Sequence, residues 1–185
     1  MKILLLLFRF FQLSRIFNLI EEIKLKDKIR TYEKKSSQKI NFISQGGYNL
    51  SLLGDLNKFK IDPTSHLKSD TLIECSGGIE IGKYFHTGKG LTIFTANHNW
   101  KNSKKIPYDD VIIFKSVKIN DFVWFGANVT ILPGVQIGEG AIISGGSVVT
   151  KNVEKGAIMG GNPALLIGRR DLNHFNKLKT QKAFY

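Results

Sequence analysis

Residues 111–153 repeat every six positions, and no other feature of the chain constrains its fold as tightly. Stepping by six from Ile113 meets Ile119, Phe125, Ile131, Ile137, Ile143 and Val149, all large and apolar. Stepping by six from Val117 meets Val123, Val129, Val135, Ala141, Ser147 and Val153, all small or β-branched. Glycine often follows the first series, as at Gly126 and Gly138. A short fixed period is the signature of stacked repeats. β-Branched residues at this spacing suit short strands separated by tight turns, and glycine lets the corners adopt φ > 0. Three hexads close one triangular coil of about eighteen residues, and stacked coils pair their backbones as parallel strands. A single coil cannot bury its own apolar side, so several must stack.

The same period occurs upstream, through Ile61, Leu67, Ile73, Ile79, Phe85 and Leu91. The two blocks do not share a register. The polar, turn-rich segment "ANHNWKNSKKIPYDD", residues 96–110, interrupts the rhythm and reads as a loop extruded from the coil. His98 lies at its start.

Charge divides the chain. Residues 1–40 carry ten Lys/Arg against four Asp/Glu, and residues 165–185 carry five against one. Between them the balance is twelve against ten, so the basic ends flank a nearly neutral centre. Such ends suit anionic lipid, a phosphate-bearing cofactor or an acidic sugar polymer. No nucleic-acid recognition motif accompanies them. One cysteine, Cys75, excludes an internal disulfide and a cysteine zinc site, in keeping with a reducing cytoplasm. The N-terminal apolar run from Ile3 stops at Arg9, short of a membrane span or a signal peptide. Leu13, Ile16, Phe17 and Ile20 then recur at helical spacing, which predicts a helix over residues 2–34. Its apolar face packs on its own domain or a partner subunit, or else lies on a membrane surface.

The hexads, the loop histidine and the tail "GGNPA" together resemble the hexapeptide-repeat acetyltransferases, and within them the maltose, galactoside and surface-polysaccharide O-acetyltransferases. The resemblance covers roughly residues 60–170. It rests on "VWFGANVTILPGVQIGEGAIISGGSVVTKNV" and on "HTGKGLTIFTANHNW", the latter most similar to the polysaccharide-modifying members. It implies an all-β core formed by a left-handed parallel β-helix. An N-terminal helical basic segment (residues 1–40), the β-helix domain (41–164) and a C-terminal basic helix (165–185) would make up the chain. It also implies a homotrimer with active sites between subunits, acetyl-coenzyme A as acyl donor and a carbohydrate acceptor. The expected enzyme is cytoplasmic, or at the inner face of the membrane, and acts in polysaccharide biosynthesis. A free small sugar or xenobiotic as acceptor, or a silent β-helix scaffold, are the alternatives.

Acetyl transfer to a hydroxyl needs a base, and imidazole suits the task at neutral pH. His98 is the candidate, with Asn97 and Asn99 placed to orient the ring or the sugar. Trp124 follows the inward Val123, so it should face outward, where the resemblance puts a tryptophan beside the thioester. Backbone N–H groups at Gly126 and Ala127 are candidate oxyanion donors. Gly145, Gly146 and Ser147 would let the cofactor pass close to backbone. Thr150 and Lys151 match the family's "TK" beside the pantetheine. Arg169 and Arg170 could hold the phosphates of coenzyme A. Related sequences usually place a basic residue after "GNPA", where this chain has Leu165. His86 is either a substrate contact or a plain surface residue, and His66 and His174 read as structural. The four histidines are each at least twelve positions from the next, too dispersed for the three-histidine zinc site that the same fold can carry, so no metal is expected.

Overall fold

A computed structural model describes residues 1–2 and 13–185. The part of the expected N-terminal helix that falls on residues 3–12 lies outside the described residues. From Asn41 onward the chain winds into short strands stacked as three parallel columns. One column holds β3 (Phe59–Ile61), β6 (Ile79–Ile81), β10 (Val117–Ile119) and β13 (Gln136–Ile137). A second holds β2 (Leu50–Leu53), β5 (Thr71–Glu74), β7 (Thr92–Ile93), β12 (Thr130–Ile131) and β15 (Val148–Val149). The third pairs β1 (Asn41–Ile43) with β4 (His66–Lys68), and further down joins β11 (Trp124–Phe125), β14 (Ile142–Ile143) and β16 (Ala157–Gly160). Backbone bonds from His66 N to Phe85 O and from His86 N to Val123 O connect its two parts.

The hexad ladders form the core. Ile119, Phe125, Ile131, Ile137 and Ile143 are fully or almost fully buried, as are Val117, Val123, Val129 and Ala141. Phe85 and Phe125 meet edge to face at 5.0 Å, an arrangement that aromatic quadrupoles favour. Downstream, Thr130 pairs with Val148 and Trp124 with Ile142, eighteen positions on, the three-hexad coil that the sequence predicts. Upstream the coil is longer: Phe59 pairs with Ile79, twenty positions on. All six upstream ladder residues are nonetheless buried. The two extra residues sit in the turn at Ser76–Gly77, so the even spacing conceals a shift of phase.

Three expectations need correction. Ile113 is 37% exposed and stands in the extruded segment, not in the ladder. The excursion reaches Phe114, beyond the predicted end at residue 110, because Ile112–Phe114 (β9) folds back antiparallel on Ala96–His98 (β8). Residues 165–169 are a strand, β17 (Leu165–Arg169), antiparallel to β16, and the C-terminal helix α2 occupies only Leu172–Thr180. The Asp171 carboxylate caps α2 by accepting from the N–H groups of Asn173 and His174.

Helix α1 spans Leu13–Ser36. Its last three turns bury Leu25 and Tyr32 on the first coil, with Ile29 packed beside them. Ile16, Phe17 and Ile20 of the predicted stripe are exposed, together with Leu19 and Ile23. The two apolar stripes lie on opposite sides of the helix, so the domain-facing one starts where the sequence-read one ends. No helix among the described residues is long and apolar enough to cross a membrane.

Candidate active site

The β8–β9 hairpin presents His98. Its feet are tied where the coil is interrupted: Lys115 N–H donates to Thr95 O at 2.8 Å. Thr95 is itself buried, its hydroxyl hydrogen-bonded to the Glu74 carboxylate and accepting from Gly77 N–H. A Cβ at Gly77 would come within 2.2 Å of Thr95 O, so only glycine admits this anchor. The tip is held by Asp109, which accepts from the Asn99 amide and from the N–H groups of Lys104 and Val111. Desolvation pushes the Asp109 pKa up, but those bonds outweigh it and hold the carboxyl below the usual range. Tyr108 stacks flat on the His98 ring, centroids 3.8 Å apart. Asn97 Oδ1 accepts from His98 N–H. Glu74, Gly77, Tyr108 and Asp109 escaped the sequence reading. Only the Asp109–Asp110 pair after a proline hinted at a loop-organising carboxylate.

His98 is exposed and lines two adjoining grooves. One is shared with Phe94, Asn97, Ile112, Leu132 and Pro133, the other with Trp100, Lys101, Lys115 and Thr150. Asn97 stands in both, whereas the Asn99 amide is committed to Asp109 and shapes the loop. Thr150, expected beside the pantetheine, lines the second groove with His98. Lys151 is exposed past it.

Trp124 lies elsewhere. It faces outward on β11, 52% exposed, in a separate cavity of about 260 Å³ with His86, Phe122, Arg170, Phe175 and Tyr185. His86 pairs with Trp124 across the coils and tilts against His66, ring centroids 4.3 Å apart. Burial, then the neighbouring His86 and Lys68, push the His66 pKa down to about 4. Burial and Lys68 also lower that of His86. Within one chain, therefore, His98 and Trp124 do not share a groove.

The corner glycines stack closely: a Cβ on Gly126 would lie 2.5 Å from Gly145 N. Gly126 N–H donates to Ile143 O, so it cannot serve an oxyanion. The Ala127 N–H has no acceptor among the described residues and remains a candidate donor. The Gly146 Cα faces open space, leaving the corner bare. Ser147 is fully buried, its hydroxyl donating to Ser144 O inside the coil, so its side chain cannot touch a cofactor. Arg169 pairs with Glu154 at 2.7 Å. Arg170 donates from Nε to Gly140 O and covers Phe175, and burial lowers its pKa. Arg170 thus packs on the last coil while Arg169 sits in an exposed ion pair, and any phosphate contact would compete with these bonds.

Residues 116–151 match the family "Bacterial transferase hexapeptide (six repeats)". The chain is 50% identical over 52 residues to a chloramphenicol acetyltransferase of Klebsiella aerogenes, covering 28% of this chain and 25% of the relative. It is 35% identical over 95 residues to a galactoside O-acetyltransferase of Lactococcus lactis subsp. lactis (strain IL1403), covering 51% and 44% respectively. The chain spans less than half the length of the first curated relatives it matches. Its fold is that of a hexapeptide-repeat containing acetyltransferase from Vibrio cholerae (TM-score 0.65, 20% identity, 85% of this chain and 91% of that one). That protein's structure is also known in complex with acetyl-coenzyme A.

Proposed function

We propose that this chain is an acetyl-coenzyme A-dependent O-acetyltransferase acting on a sugar hydroxyl of a bacterial surface polysaccharide or its precursor. The observation that carries the reading is His98, held by an anchored hairpin over a groove that also contains Thr150, beside the transferase repeat. The His98 imidazole takes the hydroxyl proton, and the alkoxide oxygen attacks the thioester carbonyl carbon. Ala127 N–H steadies the oxyanion; collapse breaks the C–S bond, and His98 returns the proton to the departing thiolate. No acyl-enzyme forms. No group of three or more His, Cys, Asp or Glu among the described residues could hold a metal ion.

The acting form is a homotrimer of left-handed coils, cytoplasmic or at the inner membrane face, with His98 of one chain meeting Trp124 of the next. The separate grooves support this, and so does exposed Leu165, Leu166 and Ile167 on the edge strand β17, an apolar edge that calls for a cover. A second reading, acetylation of a small xenobiotic, is favoured by the likeness to chloramphenicol acetyltransferase. Free thiol released from acetyl-coenzyme A in the presence of a glycan panel, a free-sugar panel and chloramphenicol tests both readings. Thiol release with a glycan supports the first, release with chloramphenicol alone the second, and none with any acceptor rejects acetyl transfer. His98→Ala should lower kcat by roughly 10²-fold or more while the fold survives.

A further inference from the structure

Beside His98 the groove of about 320 Å³ is lined by two lysines, Lys101 and Lys115, and by no carboxylate. Neither lysine has an ion-pair partner among the described residues, whereas Lys105 on the same loop pairs with Asp110. Lys115 is not a loose surface side chain. Its backbone N–H closes the hairpin on Thr95 O, and its stem lies along the Pro133–Gly134 turn. A Cβ on Gly134 would sit 3.1 Å from Lys115 Cδ, so glycine there, at φ +88°, leaves the path the stem follows. Lys101 Nζ stands 5.2 Å from the Trp100 ring centroid, and Trp100 is 59% exposed. Two ammonium groups without an ion-pair partner, one of them over the exposed Trp100 ring, thus border the candidate base. Like charges gathered in one groove raise the local concentration of anions.

We infer that this groove binds an anionic group, held by Lys101 and Lys115. The inference rests on the acetyl-transfer reading only for the identity of the ligand. A carboxylate on the acceptor sugar and the phosphates of acetyl-coenzyme A share the required chemistry. Ammonium donors serve either as point charges.

The test is calorimetric titration of the full chain and of its Lys101→Gln/Lys115→Gln variant. The probes are coenzyme A, a disaccharide carrying one glucuronate, and its neutral counterpart. Equal melting temperatures, and retained binding by Lys115→Arg, show that the glutamine variant keeps its fold. At least one anionic probe should lose about tenfold or more in affinity, the scale of one charge-assisted contact, while the neutral sugar is unaffected. Added salt should weaken that probe's binding to the parent and have little effect on the variant. Loss confined to coenzyme A assigns the lysines to the donor's phosphates; loss confined to the glucuronate assigns them to the acceptor. If both anionic probes bind the folded variant as they bind the parent, or neither binds the parent, the inference is wrong. A parent that binds an anion through these lysines but releases no thiol from acetyl-coenzyme A retains the anion site and loses the acetyl-transfer reading.

Discussion

His66 shows how position decides what a histidine does. It is buried against His86, whose ring is 4.3 Å away, with Lys68 also bearing on it, while His98 stands exposed on a loop. With its folded-state pKa near 4 against an ordinary 6.5, His66 binds its proton more weakly in the native chain than in the unfolded one. Its contribution to stability is therefore complete above pH 6.5 and is lost progressively as pH falls to about 4. His66→Gln should lose less stability than the parent between those two pH values, measured by denaturant unfolding at each. Equal losses would mean that His66 does not titrate in that window. The reading of His66 as structural agrees with its burial. The two arginines show the reverse: their charge was evident in the sequence, but Glu154 and the Gly140 carbonyl, which occupy them, were not.

At the scale of the element, the coil corner is decided by close backbone approach. Gly126 and Gly146 both stand at corners, for different reasons. Gly126→Ala would place a methyl 2.5 Å from a neighbouring backbone nitrogen and should destabilise by about 1–3 kcal/mol, the range for overpacking. Gly146 has φ +72° with empty space around its Cα, so Gly146→Ala should cost only the conformational penalty of roughly 1–2 kcal/mol. Thermal unfolding of the two variants tests the order, and a Gly126→Ala protein as stable as the parent would contradict the packing. The ladder was legible in the sequence because burial inside a coil forces side-chain type at a fixed period. The hairpin was legible only as an interruption. Its strands, β8 and β9, carry the exposed apolar residues Ile112, Ile113 and Phe114, and Ile113 happens to fall in phase with the ladder. A period read from one chain cannot distinguish that coincidence from membership. The shift of two positions at Ser76–Gly77 was hidden in the same way, because both residues of each inward pair are buried.

At the scale of the whole molecule, the grooves holding His98 and Trp124 are separate in one chain. Phase along the coil, legible in the hexads, does not say which faces meet; only the family resemblance implied active sites between subunits. The proposed trimer closes the gap by bringing one chain's hairpin to its neighbour's Trp124. The most direct measurement is acetyl transfer by mixed assemblies of two separately inactive variants, His98→Ala and Trp124→Ala, co-produced in equal amounts. Each site of a mixed trimer draws its histidine from one chain and its tryptophan from another. Random assembly should therefore restore thiol release to about a quarter of the parent's rate. If the mixture is as inactive as each variant alone, while mixed trimers demonstrably form, the two residues do not complete one site across subunits and the account fails.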